Sequence, residues 1–312
     1  MFAEQTLLVQ EQANRSSRFC LDSSTTFVYP ALVMVLLSLV ALVINHFYYQ
    51  YPGNVYLPPN YFVVGVNLLL AYAGFFLLQG RDGKITQLVK ELVLFFLVMM
   101  IVCLVTNAAQ YTPFPTIDQR ILLLESFFHI DTNAFIKWAH EKPELINVLE
   151  VIYRSLDYQL CYIPLMVILL GRKDLIREYY FFLLTSVLVG FMFYYFFPTT
   201  APASVMSGDY FCEEQKATYL KFFQIHHGIQ PSTQEGGLIA FPSFHVIWAW
   251  FCLWSLRKWP VVYLMLLPIN LVLIGSCVLL GWHYCMDIVG SLFVIIFVHY
   301  IYRHIYFRYH LK

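Results

Sequence analysis

Two histidines and one aspartate carry the chemistry open to this sequence. In "GWHYCMDIVGS", residues 281–291, His283 and Asp287 stand four apart, so on a helix they share one face about one turn apart. A carboxylate so placed accepts the proton of His283 Nδ1, which fixes the tautomer and leaves Nε2 as a lone-pair nucleophile. The third group is His245 in "AFPSFHVIWAW", residues 240–250, one step inside an apolar run. The stretch "PSFH" also reads as a helix start. Pro242 suits the first turn, Ser243 can satisfy an end amide, and the unpaired amides there attract an anion such as phosphate without a metal.

Those residues must be positioned by membrane helices. The 312-residue chain is 60% hydrophobic, 18% aromatic and 12% charged, against roughly 25% charged in an ordinary globular domain. Several windows approach the ~20 charge-free residues that cross about 30 Å of hydrocarbon. The fold class that follows is all-α: a polytopic membrane helix bundle with about eight transmembrane helices, at residues 27–48, 61–79, 88–107, 151–170, 179–197, 243–256, 260–280 and 284–302. Residues 1–26 are polar, without the short apolar core of a cleaved signal, and read as a cytoplasmic segment ahead of a single membrane domain, 27–312.

Orientation follows from Lys and Arg. Arg15 and Arg18, then Arg81, Lys84 and Lys90, then Arg172, Lys173 and Arg177, then Arg257 and Lys258, then Arg303, Arg308 and Lys312 fall in short loops or at the termini. Eight spans put all of them on one side, and basic asymmetry makes that side, with both termini, cytoplasmic. The long loops, 108–150 and 198–242, then face the exoplasmic side together with His245, His283 and Asp287. Ionisable groups at membrane depth are costly, about +2.5 to +3.5 kcal/mol for Asp at a helix centre, and so point to function.

In the first long loop Ile121, Leu122, Leu124, Phe128, Phe135, Ile136 and Trp138 recur at helical spacing between charges, the pattern of a segment lying along the membrane surface. It reads as a cap over helix ends, or as a lateral gate for a lipid tail. In the second, Pro198 and Pro202 end the fifth span, and His226 and His227 read as solvated loop histidines. The seven cysteines lie mostly inside spans without paired spacing, so neither a disulfide framework nor a zinc site is implied; Cys212 and Cys285 fall on the same side, within possible reach of each other. Zero net charge gives no sign of nucleic acid, and no metal or cofactor is called for.

"FPSFH" followed by "HYCMDIVGS" resembles the second and third signature motifs of the type 2 phosphatidic acid phosphatase superfamily, which end in Pro-Ser-x-His and His-x-x-x-Asp. The spelling is most similar to the inositol phosphorylceramide synthase branch. "FPTTAP" resembles that branch's proline-rich first motif, and "PFPTID" and "YRSL" its more variable N-terminal half. The resemblance implies a catalytic core over 151–303. In it His283 would attack phosphorus to form a phosphohistidine, Asp287 would orient it, and His245 would protonate the leaving alkoxide. Pro242, Ser243 and Ser276 fall on motif positions.

Two departures matter. Phe196, Phe197 and Thr199 flank Pro198 where the wider superfamily carries Lys and Arg, and Cys277 stands where it carries Arg. Phosphoryl transfer needs developing charge neutralised, so other cations must serve: Arg154, with Asp157 one turn on, and Lys216 and Lys221 in the second long loop. Arg154 and Asp157 could equally be an ion pair of the fold.

The reading is a membrane enzyme moving a phospholipid head group at the exoplasmic leaflet, from a phospholipid donor to a lipid hydroxyl. With water as acceptor it is a lipid phosphate phosphatase. An inactive relative and a transporter using His and Asp as a path remain as alternatives, although a transporter predicts ionisable groups near the midplane and repeated halves. A bacterial inner membrane with a periplasmic site is favoured over a eukaryotic secretory membrane with a luminal one.

Overall fold

The computed structural model describes residues 25–310, with side chains through residue 305. The segment before residue 25, with Arg15 and Arg18, and also Lys312 lie outside the described residues; Arg308 is described in its backbone alone. The structure is 74% helix, with no strand among the described residues. In chain order the helices are α1 (Val28–Ile44, extended by a π turn Asn45–Tyr49), α2 (Tyr61–Gln79), α3 (Lys84–Ala109), α4 (Asp118–Phe127), α5 (Thr132–His140), α6 (Pro143–Leu169), α7 (Lys173–Phe196), α8 (Glu213–His226), α9 (Phe244–Ser255), α10 (Pro260–Leu279) and α11 (Cys285–His310).

A helix stands at each of the eight expected spans, but six of them are long and apolar enough to cross a membrane on their own: α1 with its π turn, α2, α3, α7, α10 and α11. This is an integral membrane protein. The other two differ for physical reasons. Helix α6 starts at Pro143, before the expected 151, and carries Glu144, Glu150, Arg154 and Asp157 between its start and its middle. Helix α9 has 12 residues, about 18 Å of rise. It lies between its neighbours, packed on α6, α7, α10 and α11, with Ile247, Ala249, Phe251 and Cys252 fully buried. Prolines set several boundaries: Pro143 and Pro260 occupy first turns, where a missing amide is not needed, and Pro198 follows the end of α7.

Helix α7 is the most enclosed of the six, with 67% of its apolar window buried, while α2 packs on α3 and buries no residue. The short basic loops gather at one end of the bundle. There Lys173 reaches Gln87 (2.9 Å), Arg177 pairs with Glu91 (2.7 Å) and Arg257 with Glu178 (2.5 Å). The two long loops meet one another at the opposite end, where Ile117 N–H donates to the Pro198 carbonyl and His226 Nε2 to that of Thr112.

The first long loop is largely helical. Helices α4 and α5 bury Ile121 and Ile136 against the protein and expose Leu124, Phe128, Phe135 and Trp138, an apolar outer face of the kind a bilayer boundary accepts. Their polar side chains cap the start of α11: Thr132 Oγ1 accepts from Cys285 N–H (3.3 Å) and Glu125 Oε1 from Met286 N–H (3.0 Å). These amides are orphans of a helix N-terminus, here satisfied from a distant element. Cys212 and Cys285 are free thiols, so the disulfide considered from the sequence is not formed.

Candidate active site

His283 sits in a turn whose shape is set by Gly281. Helix α10 ends in a Schellman motif: Trp282 N–H donates to the Cys277 carbonyl (3.1 Å) and Gly281 N–H to that of Val278 (2.9 Å). Gly281 has φ +85°, and a Cβ there would stand 2.8 Å from the Phe211 ring, so glycine is required twice over. His283 thus precedes α11 rather than lying within it. Asp287, in the first turn of α11, turns back. Its Oδ2 accepts from Tyr284 N–H (2.9 Å) and stands 3.1 Å from His283 Nδ1.

The tautomer follows from a second contact. His283 Nδ1 is 2.9 Å from the Ala240 carbonyl, which can only accept, so Nδ1 carries the proton and Nε2 keeps its lone pair. Asp287 is fully buried, and its Oδ1 has no partner among the described residues.

His245 arrives from α9. Ser243 is the N-cap, its Oγ accepting from Val246 N–H (3.4 Å). The amides of Phe244 and His245 find no partner among the described residues, leaving the N-terminal end of α9 with free donors and its positive dipole end. The His245 ring stacks on Tyr153 at 4.2 Å, Tyr153 stacks on Trp282 at 5.6 Å, and the His245 and His283 ring centres are 5.9 Å apart.

The motif segments are tied to each other directly. Thr199 Oγ1 accepts from Phe241 N–H (2.7 Å), Ser291 Oγ donates to the Ser243 carbonyl (3.0 Å), and Ser243 N–H reaches the Asp287 carbonyl (3.5 Å). Gly290 lets the chains close: a Cβ there would be 2.5 Å from the Phe241 ring.

Both histidines line one cavity of about 600 Å³ with Tyr153, Trp282, Arg154, His140 and Tyr210. Five carboxylates, Glu150, Asp157, Glu213, Glu214 and Glu235, share its wall. A family profile described as the PAP2 superfamily matches residues 119–301, more than half of the chain. The chain belongs to the PAP2 superfamily. The matched region of this PAP2 protein begins inside α4, ahead of the residue 151 expected from the sequence, and so takes in much of the first long loop. Searches of curated proteins and of solved structures gave no match.

The structure brings His283, Asp287, His245 and Arg154 to one place and leaves other sequence candidates elsewhere. Arg154 is 64% exposed and pairs with Glu214 (3.4 Å) rather than with Asp157. Lys216 is absent from the cavity wall and pairs with Glu213 of that wall (3.0 Å). Lys221 is also absent from the cavity wall: it is 1% exposed, its Nζ donates to the Gly236 carbonyl (3.1 Å), and burial lowers its pKa to about 8. Ser276 is fully buried, its hydroxyl returning to the Leu273 carbonyl (2.7 Å). Pro242 and Ser243 stand behind the cavity wall as the buried start of α9. Cys277 is likewise buried, its thiol against the Leu273 carbonyl, so the position that other members fill with Arg offers no donor to the cavity here.

Sequence reasoning did not assign the aromatic wall of Tyr153 and Trp282, nor the Ala240 carbonyl. Trp282 was adjacent to a motif histidine. A main-chain acceptor leaves no mark in residue types.

Proposed function

We propose that this PAP2 protein is a membrane-embedded phospholipid head-group phosphotransferase, similar to inositol phosphorylceramide synthase, acting at the exoplasmic face through a phosphohistidine. The observation that carries the reading is the His283 tautomer. With Nδ1–H shared between Ala240 and Asp287, Nε2 is free to attack phosphorus. The P–Nε2 bond forms as the ester bond to the diacylglycerol oxygen breaks, and His245 delivers a proton to that oxygen, because an alkoxide leaves poorly unaided. In the second half His245 takes the proton of the acceptor hydroxyl, the new P–O bond forms and the P–Nε2 bond breaks. His283 returns to its starting form.

Charge on the phosphate is met by Arg154 and by the free amides at the start of α9. The carboxylates of the wall suit a polyol head group, whose hydroxyls donate to them. The described loops support this orientation: the basic ones gather at the end away from the site, the distribution expected of a cytoplasmic side that also carries both termini. A bacterial inner membrane with a periplasmic site is the setting we favour.

Hydrolysis is a second reading. The exposure of Glu150, Asp157 and Glu235 opens the cavity to water as an acceptor.

The test is a mass-spectrometric product assay with purified protein in mixed micelles of phosphatidylinositol, phosphatidylglycerol and phosphatidic acid, with and without ceramide and diacylglycerol, in chelator. Head-group phosphate on a lipid acceptor supports transfer; free phosphate or phosphorylated head group without a lipid adduct replaces it with hydrolysis. His283→Ala must abolish either product. Turnover persisting in that variant would sink the mechanism.

A further inference from the structure

Asp118 opens α4, in the stretch "PFPTID", and is 1% exposed. It has no ion-pair partner among the described residues. Instead four contacts converge on it from two segments. Thr200 N–H lies 3.0 Å from both carboxylate oxygens, Thr200 Oγ1 donates to Oδ2 (3.2 Å), and Tyr284 O–H donates to Oδ1 (2.9 Å).

Each segment leads by one residue to the site. Thr200 follows Thr199, whose hydroxyl holds Phe241 N–H at the entrance to the His245 helix. Tyr284 follows His283, is fully buried, and is pinned at both ends: its hydroxyl by Asp118 and its amide by Asp287 Oδ2. Asp118 thereby joins the segment that sets His245 to the turn that holds His283.

A buried carboxylate is a poor way to gain stability. Burial raises its pKa from the ordinary value, the four donor contacts only partly offsetting this, and an apolar side chain of similar volume often packs as well or better. What an apolar residue cannot supply is a directional acceptor shared by two chain segments.

We propose that Asp118 is a positioning residue for the reaction, fixing the register between the Thr199–Thr200 segment and the His283–Asp287 turn through Tyr284. The proposal rests on the reading of His283 as the nucleophile.

The test compares full-length wild type, Asp118→Asn, Tyr284→Phe and the double variant in the micelle assay above, with His283→Ala alongside. Expected are a 10- to 100-fold loss of kcat in each single variant, KM within threefold, and a double variant no worse than the poorer single. Hydrogen exchange in Asp118→Asn should rise together in the peptides containing Thr200 and Tyr284–Met286. A folded Asp118→Asn with kcat within twofold of wild type overturns the proposal, as do losses that multiply in the double variant. If Asp118→Asn does not fold, Tyr284→Phe decides, since it removes one hydroxyl, and unchanged kcat there overturns the proposal. If His283→Ala retains turnover, the functional reading fails separately, and exchange that does not rise jointly in the two peptides then sinks the positioning role.

Discussion

Replacing Asp287 by Asn should slow turnover far less than the corresponding change in a triad where the carboxylate alone fixes the imidazole. His283 Nδ1–H has two acceptors, the Ala240 carbonyl at 2.9 Å and Asp287 Oδ2 at 3.1 Å. The first survives the substitution, so the tautomer survives with it. What is lost is the charge on the second acceptor. A hydrogen bond to a charged group contributes about 1.5–3 kcal/mol against about 0.5–1.5 for a neutral one. The difference, about 1–2 kcal/mol, is roughly 5- to 30-fold in rate, whereas a wrong tautomer in a triad costs about 10⁴-fold. The assay is initial rate at saturating donor in mixed micelles, with thermal midpoint and elution volume confirming that the variant is folded. The expected result is a 5- to 30-fold lower kcat with KM little changed. A folded Asp287→Asn with a loss near 10⁴ would refute the claim that Ala240 holds the tautomer, and a loss below twofold would refute the coupling of the carboxylate to His283.

Further outcomes follow from the same geometry. Gly281→Ala should lower the thermal midpoint by the equivalent of about 1–3 kcal/mol, because φ is +85° and the new methyl meets Phe211; an unchanged midpoint contradicts the Schellman assignment. Arg154→Ala should lower kcat/KM for the donor several-fold, since the guanidinium lines the cavity but is exposed and shared with Glu214; an unchanged kcat/KM argues against phosphate contact. Lys221→Met should stabilise the protein at pH 7. Burial lowers the pKa of Lys221 to about 8 against about 10.4 unfolded, so between those values the unfolded chain binds more protons and wild-type stability rises with pH. The advantage of Met, at most about 3 kcal/mol less ~1 for the bond to Gly236, should therefore shrink from pH 8 towards pH 10. Melts at pH 7 and 9.5 check this, and a variant less stable than wild type at pH 7 rejects it.

The bundle was legible where composition alone decides. Residues 61–79 are expected as a span and form Tyr61–Gln79, which buries no residue although it packs on α3, so its apolar composition alone marks it. Helices that depend on neighbours were harder to read. The first turns of α6 hold Glu144 and Glu150, and Glu150 borders the cavity. Helix α9 is too short to span by itself and sits in the middle of the packing. The site divides in the same way. His283 and Asp287 are four residues apart, and spacing finds such a pair. The residues that hold their turn come from far away: Tyr284 meets Asp118 across 166 positions and Met286 meets Glu125 across 161. Yet α4 does carry a trace, because Asp118, Ile121 and Glu125 lie on one face and all three are buried. Helical spacing exposed that face through Ile121 alone. A carboxylate on a buried stripe reads as a break in the pattern until its donors are known, and here those donors belong to the segments that deliver the two histidines. The first long loop is therefore better understood as part of the reaction site's framework than as a cover laid over it. That view makes a mutation in α4, remote in sequence from every motif, the sharpest probe of how the site is held.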